Sequence, residues 1–216
     1  ATSPDFPPFE SLEGGEVVGI EVDILNKVAE KMGMELDIQQ MDFDSVIPGV
    51  QTGKFDVGMS GITVTEDRQK NCDFTDPYFL ASQAIVVTAD SPITCKADLE
   101  GKKISVQTGT TAEEYCMDNG YEVLSFTANN DAAAALTTGK VDAWVVDNEV
   151  AVALAAQQGL TVLDDAMTSE PYAFAFAKGS DELVSSFNAS LKKLMDDGSI
   201  QEIFDKYGVL YVAPEA

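Results

Sequence analysis

Histidine is absent from the 216 residues. That removes the side chain that most often works as a base near neutral pH, the imidazole of a Ser-His triad and the commonest metal ligand. Cysteine is scarce, and Cys72, Cys95 and Cys116 form no CxxC pair, so no metal site and no metal cofactor are expected. In an exported protein Cys95 and Cys116 could be bridged with Cys72 left over; spacing alone leaves the connectivity open. No apolar run reaches the roughly 18 residues a membrane helix needs. Basic charge is also in short supply: 13 Lys and Arg stand against 37 Asp and Glu, a net charge of −24. So negative a surface repels phosphate backbones and anionic lipid, which argues against a nucleic-acid partner and serves solubility. No secretory signal segment is visible ahead of Ala1; processing could have removed one. Arginine is the rarest cation, with Arg68 as its one copy.

What is present is ordinary globular material, 45 % apolar and 23 % charged, enough for one large domain or two small lobes. Val17–Ile20 reads as a strand. Apolar Ile24, Leu25, Val28, Ala29 and Met32 then recur at helical spacing over 21–32, with Gly33 as a stop. Residues 34–41 alternate as a strand, 44–52 read as a helix opened by an Asp/Ser cap, and 55–60 as a buried strand. The alternation continues with strands over 102–107, 141–146 and 171–177, an alanine-rich helix over 131–138, and two helices between Asp181 and Tyr207 parted by Gly198. This predicts an α/β fold with mostly parallel sheets flanked by helices.

One echo organises the chain. Thr52-Gly53-Lys54-Phe55-Asp56-Val57 matches Thr138-Gly139-Lys140-Val141-Asp142-Ala143, each a helix end, a Gly-Lys turn and a strand start, and this points to two similar lobes. The same offset sets Ser60 against Val146 and Gly61 against Asp147, at strand carboxyl ends, where open α/β sheets bind ligands. Arg68 then has a purpose. A planar fork grips a carboxylate with two parallel bonds, which lysine cannot do. Thr63 adds a hydroxyl, and the backbone near Gly61 permits close approach. Asp147 suits an ammonium. The plainer readings are a surface ion pair of Arg68 with Glu66, Asp67 or Asp73, and Asp147 as a helix cap. In residues 106–115 a glycine turn leads into a helix start. There Thr110 with Glu113, or Thr111 with Glu114, fits a capping box, and free N–H groups favour an anion that Thr110 can share. Phe6 and Phe43 are candidate aromatic walls, ranked above Phe9, and Trp144 is assigned to the core.

The segments TSPDFPPFE, VVGIEVDIL, GITVTEDR followed by DFTDPYF, DLEGKKISVQTGTT, GKVDAWVVD and IFDKYG together resemble the periplasmic or lipoprotein polar amino-acid-binding proteins of ABC importers. The resemblance spans almost the whole chain and implies a two-lobed Venus-flytrap fold, the type II periplasmic binding protein. It puts residues 1–86 and 178–216 in one lobe and 87–177 in the other, with crossover strands near 84–88 and 174–178. It implies that Gly61, Thr63, Arg68 and Thr110 or Thr111 hold the ligand carboxylate, and that Asp147 and the Gly61 carbonyl hold the ammonium. Phe6 and Phe43 would flank the side chain, and Ser60 and Gln107 would line its pocket. Two departures bear on selectivity: Ser3 replaces an aspartate used by several members, and Glu21 replaces the aspartate of Gly-Phe-Asp-Val-Asp.

The expected function is binding, without chemistry, of a polar or basic free L-amino acid by an extracytoplasmic monomer that hands it to a membrane permease. No cofactor is implied. The alternatives are an enzyme of the cyclohexadienyl or arogenate dehydratase kind, with Glu21 as its acid, and a sensory ligand domain. The family also begins with a strand ahead of TSPDF. The added tail VLYVAPEA, with Val209–Val212 as an apolar strand, would fill that place in a circularly permuted or engineered chain.

Overall fold

The helix expected over 21–32 forms, starting at Ile20, in the computed structural model, which describes residues 1–165 and 167–214. Two units divide the chain: residues 1–80 with 171–216, and residues 81–170. The first begins with β1 (Asp5–Phe6), β2 (Glu10–Glu13) and β3 (Glu16–Val18), an antiparallel three-stranded sheet. It continues through α1 (Ile20–Met32), α2 (Phe43–Gln51), α3 (Glu66–Gln69), β4 (Cys72–Phe74) and β5 (Phe79–Ala81). The second unit holds β6 (Gln83–Thr88), β7 (Lys103–Gln107), α4 (Thr111–Asp118), β8 (Glu122–Phe126), α5 (Asn129–Thr137), β9 (Ala143–Asp147), α6 (Asn148–Gln158) and β10 (Leu160–Val162), and β11 (Glu170–Tyr172) spans the division at its far end. The chain then returns to the first unit with β12 (Ala175–Ala177), α7 (Asp181–Asp196) and α8 (Ser199–Lys206).

In the second unit a five-stranded sheet runs β10-β6-β9-β7-β8. β7 pairs parallel with β8 and β9, whereas β6 and β10 run antiparallel. The sheet is therefore more mixed than the strand–helix alternation implies. Ala84–Thr88 belongs to β6 and pairs with β9 and β10. Residues 175–177 form β12 and pair with β4. Both divisions thus fall ahead of the segments expected to cross, and β5 and β11 carry the chain over them.

The sequence echo is a repeated local geometry. Thr52 caps α2 and Thr138 caps α5, and the following glycines have φ 69° and 70°. Lys54 and Lys140 close the turns by donating to the carbonyls of Gly49 and Ala135, at 3.0 and 2.9 Å. The strand after the first copy is less regular. Residues 34–41 and 55–60 form no extended ladder among the described residues, and their β-bridges are single ones, Thr2 with Gln40 and Gly58 with Ala175.

The first unit's core is aromatic. Phe9, Phe79, Phe204 and Tyr172 are fully buried, with centroids 5.5 Å apart for Phe9–Phe79, 4.8 Å for Phe79–Phe204 and 5.2 Å for Phe9–Tyr172. Such pairs add about 0.5–1.5 kcal/mol each beyond area burial. The second unit's core is aliphatic, with Ile85, Val87, Ile104, Val106 and Val145 packed on Leu99 and Cys116. Trp144 is buried as expected.

Of two possibilities left open by the sequence, neither is realised. Cys95 and Cys116 are not bridged. Cys95 Sγ lies 3.7 Å from Asp98 Oδ2 at the start of a short 3-10 turn, while Cys116 is sealed in the core, where burial pushes its thiol up to about 12. Denatured without reductant, the chain should titrate three thiols. A count of one would restore the bridge. The tail also does not take the first-strand place. Thr2 donates to Gln39 O and Met41 donates to Thr2 O, while Ala1 donates to Val57 O and accepts from Met59, so Ala1 and Thr2 already lie between those segments. A cavity of about 550 Å³ beside them is lined by Leu25, Ala29, Met32, Leu36, Ile38 and Val57 among others, and by nothing from 209–212. Val212 O instead accepts from Leu80, Tyr211 packs on Phe204 with centroids 5.0 Å apart, and Leu210 is 81 % exposed. Glu215 and Ala216, the end of that tail, lie outside the described residues.

Candidate functional site

In the first unit the candidate residues converge on the segment from Ser60 to Arg68. Gly61 has φ +53°, and a Cβ there would sit 2.4 Å from Phe6 Cε1, so glycine lets the backbone meet the phenyl ring. The Gly61 N–H donates to Glu21 Oε2 at 3.0 Å. The Ser60 hydroxyl donates to Glu10 Oε1 and accepts from Ser3 N, both at 3.1 Å. Ser3 Oγ donates to Asp5 Oδ1 at 3.0 Å. Phe43, at the first turn of α2, packs with Ile62.

Arg68 is fixed by local means. Thr65 caps α3 by accepting from Arg68 N at 3.2 Å. The Arg68 guanidinium donates through Nη1 to Thr63 O at 2.9 Å and lies 5.7 Å from the Phe43 ring centroid, a cation–π distance. Two of the acids proposed as surface partners are paired elsewhere, Asp67 with Lys70 and Asp73 with Lys178.

Behind this segment is a feature that sequence reading missed. Glu10 and Glu21 are both fully buried. Burial pushes the Glu10 carboxyl well up, and the adjacent Glu21 charge adds to it. Burial also raises Glu21, against hydrogen bonds from Glu10, Tyr78 and Gly61 that hold it down. Tyr78 donates its hydroxyl to Glu21 Oε1. Both Glu21 oxygens are therefore occupied inside the fold, and it does not present the exposed acid that a cationic side chain or a dehydratase would need.

In the second unit the parallel neighbours β7 and β9 end at one sheet edge. Asp147 closes β9 and stands at the N-cap of α6 but makes no side-chain capping bond, so its position is not explained by capping. At the end of β7, the Thr110/Glu113 alternative of the capping box is realised with a shift. Thr110 Oγ1 accepts from Glu113 N at 3.2 Å, and Glu113 Oε2 accepts from Gly109 N at 2.7 Å. Thr110 also donates its hydroxyl to Gln107 O at 2.7 Å, which uses its only proton. Thr111 Oγ1 accepts from Gln83 Nε2 at 3.0 Å, leaving its own proton to donate. The Gln107 amide donates to Thr127 O and accepts from Asn129 Nδ2, at 3.0 and 2.9 Å. Gln83 was not foreseen. Among the described residues, no cluster of His, Cys, Asp and Glu could hold a metal, and no helix is long and apolar enough to cross a membrane.

The first unit thus carries a fixed guanidinium close to a glycine turn, and the second a carboxylate at a strand end and a threonine-opened helix start. The chain belongs to the bacterial extracellular solute-binding proteins, family 3, matched over residues 1–209. It is 33 % identical over 214 residues to the arginine-binding extracellular protein ArtP of Bacillus subtilis (strain 168), covering 95 % of this chain and 84 % of that one. It is 39 % identical to a solved ancestral arginine-binding protein bound to glutamine, with a TM-score of 0.91 over 96 % and 95 % of the two chains. The structure of an ancestral amino-acid-binding protein described as a precursor of cyclohexadienyl dehydratase is also similar, at 35 % identity and a TM-score of 0.89 over 95 % and 92 %. The fold is that of the type II periplasmic binding proteins.

Proposed function

We propose that this chain binds one free L-amino acid with a polar or basic side chain, outside the cytoplasm, and delivers it to an ABC permease without chemistry. The observation that carries the reading is the fixing of the only arginine of the sequence: Nη1 on Thr63 O at 2.9 Å and the guanidinium 5.7 Å from the Phe43 ring centroid. A fork held this way loses little freedom when it meets a carboxylate, so most of the interaction reaches the ligand. Arg68 and Thr63 then hold the carboxylate together with Thr111, while the Gly61 N–H, expected to share it, is committed to Glu21. Thr111 is preferred to Thr110 because its hydroxyl proton is uncommitted. Asp147 and the Gly61 carbonyl hold the ammonium, with Phe6 and Phe43 as side-chain walls. A ligand touching groups from both units favours the closed arrangement by its differential contacts.

Ser60, Ser3 and Glu21 serve this site from behind, because their polar atoms are bonded to other protein groups. The relatives named for arginine and for glutamine support a side chain rich in nitrogen donors. A dehydratase is disfavoured because Glu21, its best acid, is fully buried and doubly bonded. The test is a thermal-shift screen against the twenty protein amino acids, since a ligand that binds only the folded state adds about 2.7 kcal/mol of stability at a hundred times its Kd. A rise of several degrees with arginine, glutamine, lysine or histidine is expected. No rise with any amino acid would sink the proposal.

A further inference from the structure

Two carboxyl groups packed together in a buried interior require an explanation. Glu10 comes from β2 and Glu21 from the first turn of α1, and neither is exposed. Glu21 receives Gly61 N–H on one oxygen and Tyr78 OH on the other. Glu10 receives Ser60 OH on Oε1, while its Oε2 is buried and meets no N–H or O–H donor among the described residues. The neighbour of Glu10 is the Glu21 carboxyl, with which it can hydrogen-bond only if one of the two carries a proton. Two bare carboxylates here would repel each other without solvent between them. Glu21 has the donors that suit the charged partner, and Glu10 Oε2 is the place that lacks one.

We propose that Glu10 keeps a proton and gives it to Glu21 as a hydrogen bond, so that one acid–carboxylate pair positions the ligand segment Ser60–Gly61 through two consecutive residues. Glu10 and Glu21 are positioning residues, and this role rests on the reading of Gly61 as a ligand contact. The other titratable or charged groups facing the pair are Asp5 from β1, the Tyr78 hydroxyl ahead of β5 and the Ala1 ammonium. Asp5 disfavours charge on Glu10, and the ammonium favours it on Glu21. Their arrangement assigns the same ordering: Glu10 neutral, Glu21 charged.

The stability consequence has a definite direction. Glu10 is raised in the fold relative to an unfolded carboxyl. The folded state therefore binds the extra proton, and the contribution is complete below the ordinary carboxyl range and lost as pH climbs through the raised value. When that proton leaves, the bond between the two carboxyls is lost and their repulsion moves the groups that hold Ser60 and Gly61, so ligand affinity falls with stability.

Glu10→Gln separates this from an ordinary structural role, because an amide can accept from Ser60 and donate to Glu21 but cannot titrate. The free ligand's own ammonium loses its proton in the alkaline range, so the reading is the ratio of the two proteins' Kd values for L-arginine. As pH climbs through the raised Glu10 value, the wild-type Kd should worsen by about tenfold more than that of the variant, one pKa unit of differential effect. The ligand-free melting temperature of the wild type should also fall more steeply over the same range. Parallel profiles for the two proteins would overturn the proposal. If the variant does not fold, infrared spectroscopy of the wild type decides. A protonated-carboxyl carbonyl stretch should be present near neutral pH and should vanish as ligand-free stability drops, and its absence would equally overturn the pair. The ligand-free measurements stand even if no amino acid binds, so failure of the binding reading and failure of the proton-sharing pair remain distinguishable.

Discussion

Replacing Arg68 with alanine should remove measurable amino-acid binding while leaving the melting temperature within several degrees of wild type. Truncating one member of a desolvated, hydrogen-bonded charge pair costs about 2–5 kcal/mol, or roughly thirty- to several-thousandfold in Kd. The internal contacts of the side chain include a bond to Thr63 O and one ring face. Each is worth about 1 kcal/mol, and in a chain of this size a kilocalorie moves the melting temperature by about 2–4 °C. Arg68→Lys keeps the charge but loses the planar fork, so it should fall between the two. Isothermal calorimetry with the best ligand from the thermal-shift screen is the measurement. Unchanged affinity in Arg68→Ala would deny the residue its role, and a collapse in melting temperature would make it a structural residue.

The contrast between Arg68 and Glu21 shows how far the sequence could be read. Arg68 was legible because rarity and spacing both pointed at it, and the contacts that fix it come from Thr63 and Thr65 close by in sequence. The long helices were legible for the same local reason: α1 and the α7–α8 pair carry apolar periodicity and glycine stops within their own segments. Strands 34–41 and 55–60 were overread. Alternation and apolar content cannot say how much of a neighbour will pair, and here each meets a partner at one bridge. The Glu10–Glu21 pair joins two elements and depends on how α1 settles against β2, so spacing could not reveal it. One signal was present. Glu21 falls on the same helical stripe as Ile24, Leu25 and Val28, where an acid must either be paired or be neutral. Likewise, both threonines at the start of α4 fitted a capping box, and only the bond from Thr110 to Gln107 O shows which hydroxyl is already spent.

Gly19→Ala should cause the largest loss of stability of any single methyl addition in the first unit. Gly19 is the N-cap of α1 with φ 145° and ψ −178°, a conformation that L residues rarely adopt. An added Cβ would stand 2.0 Å from Phe9 O, 2.5 Å from Phe9 C and 2.9 Å from Glu10 Cα. All three are backbone atoms, so no rotamer change relieves the clash. The close approach exists because the first turn of α1 is bonded to that backbone: Ile20 N–H donates to Pro8 O and Glu21 N–H to Phe9 O, at 3.0 and 3.1 Å. Pushing the segments apart strains one residue, weakens two buried hydrogen bonds and loosens Phe9 in the aromatic core, together about 3–5 kcal/mol. The melting temperature should drop by about 10 °C. Ligand affinity should weaken as well, because the same displacement draws Glu21 away from Gly61 N–H and Glu10 away from Ser60 OH. Gly14→Ala, at a turn where an added Cβ meets nothing within 4 Å, is the control for backbone strain alone. If Gly19→Ala melts no lower than Gly14→Ala, the contact between α1 and β2 is not what sets the first unit's stability.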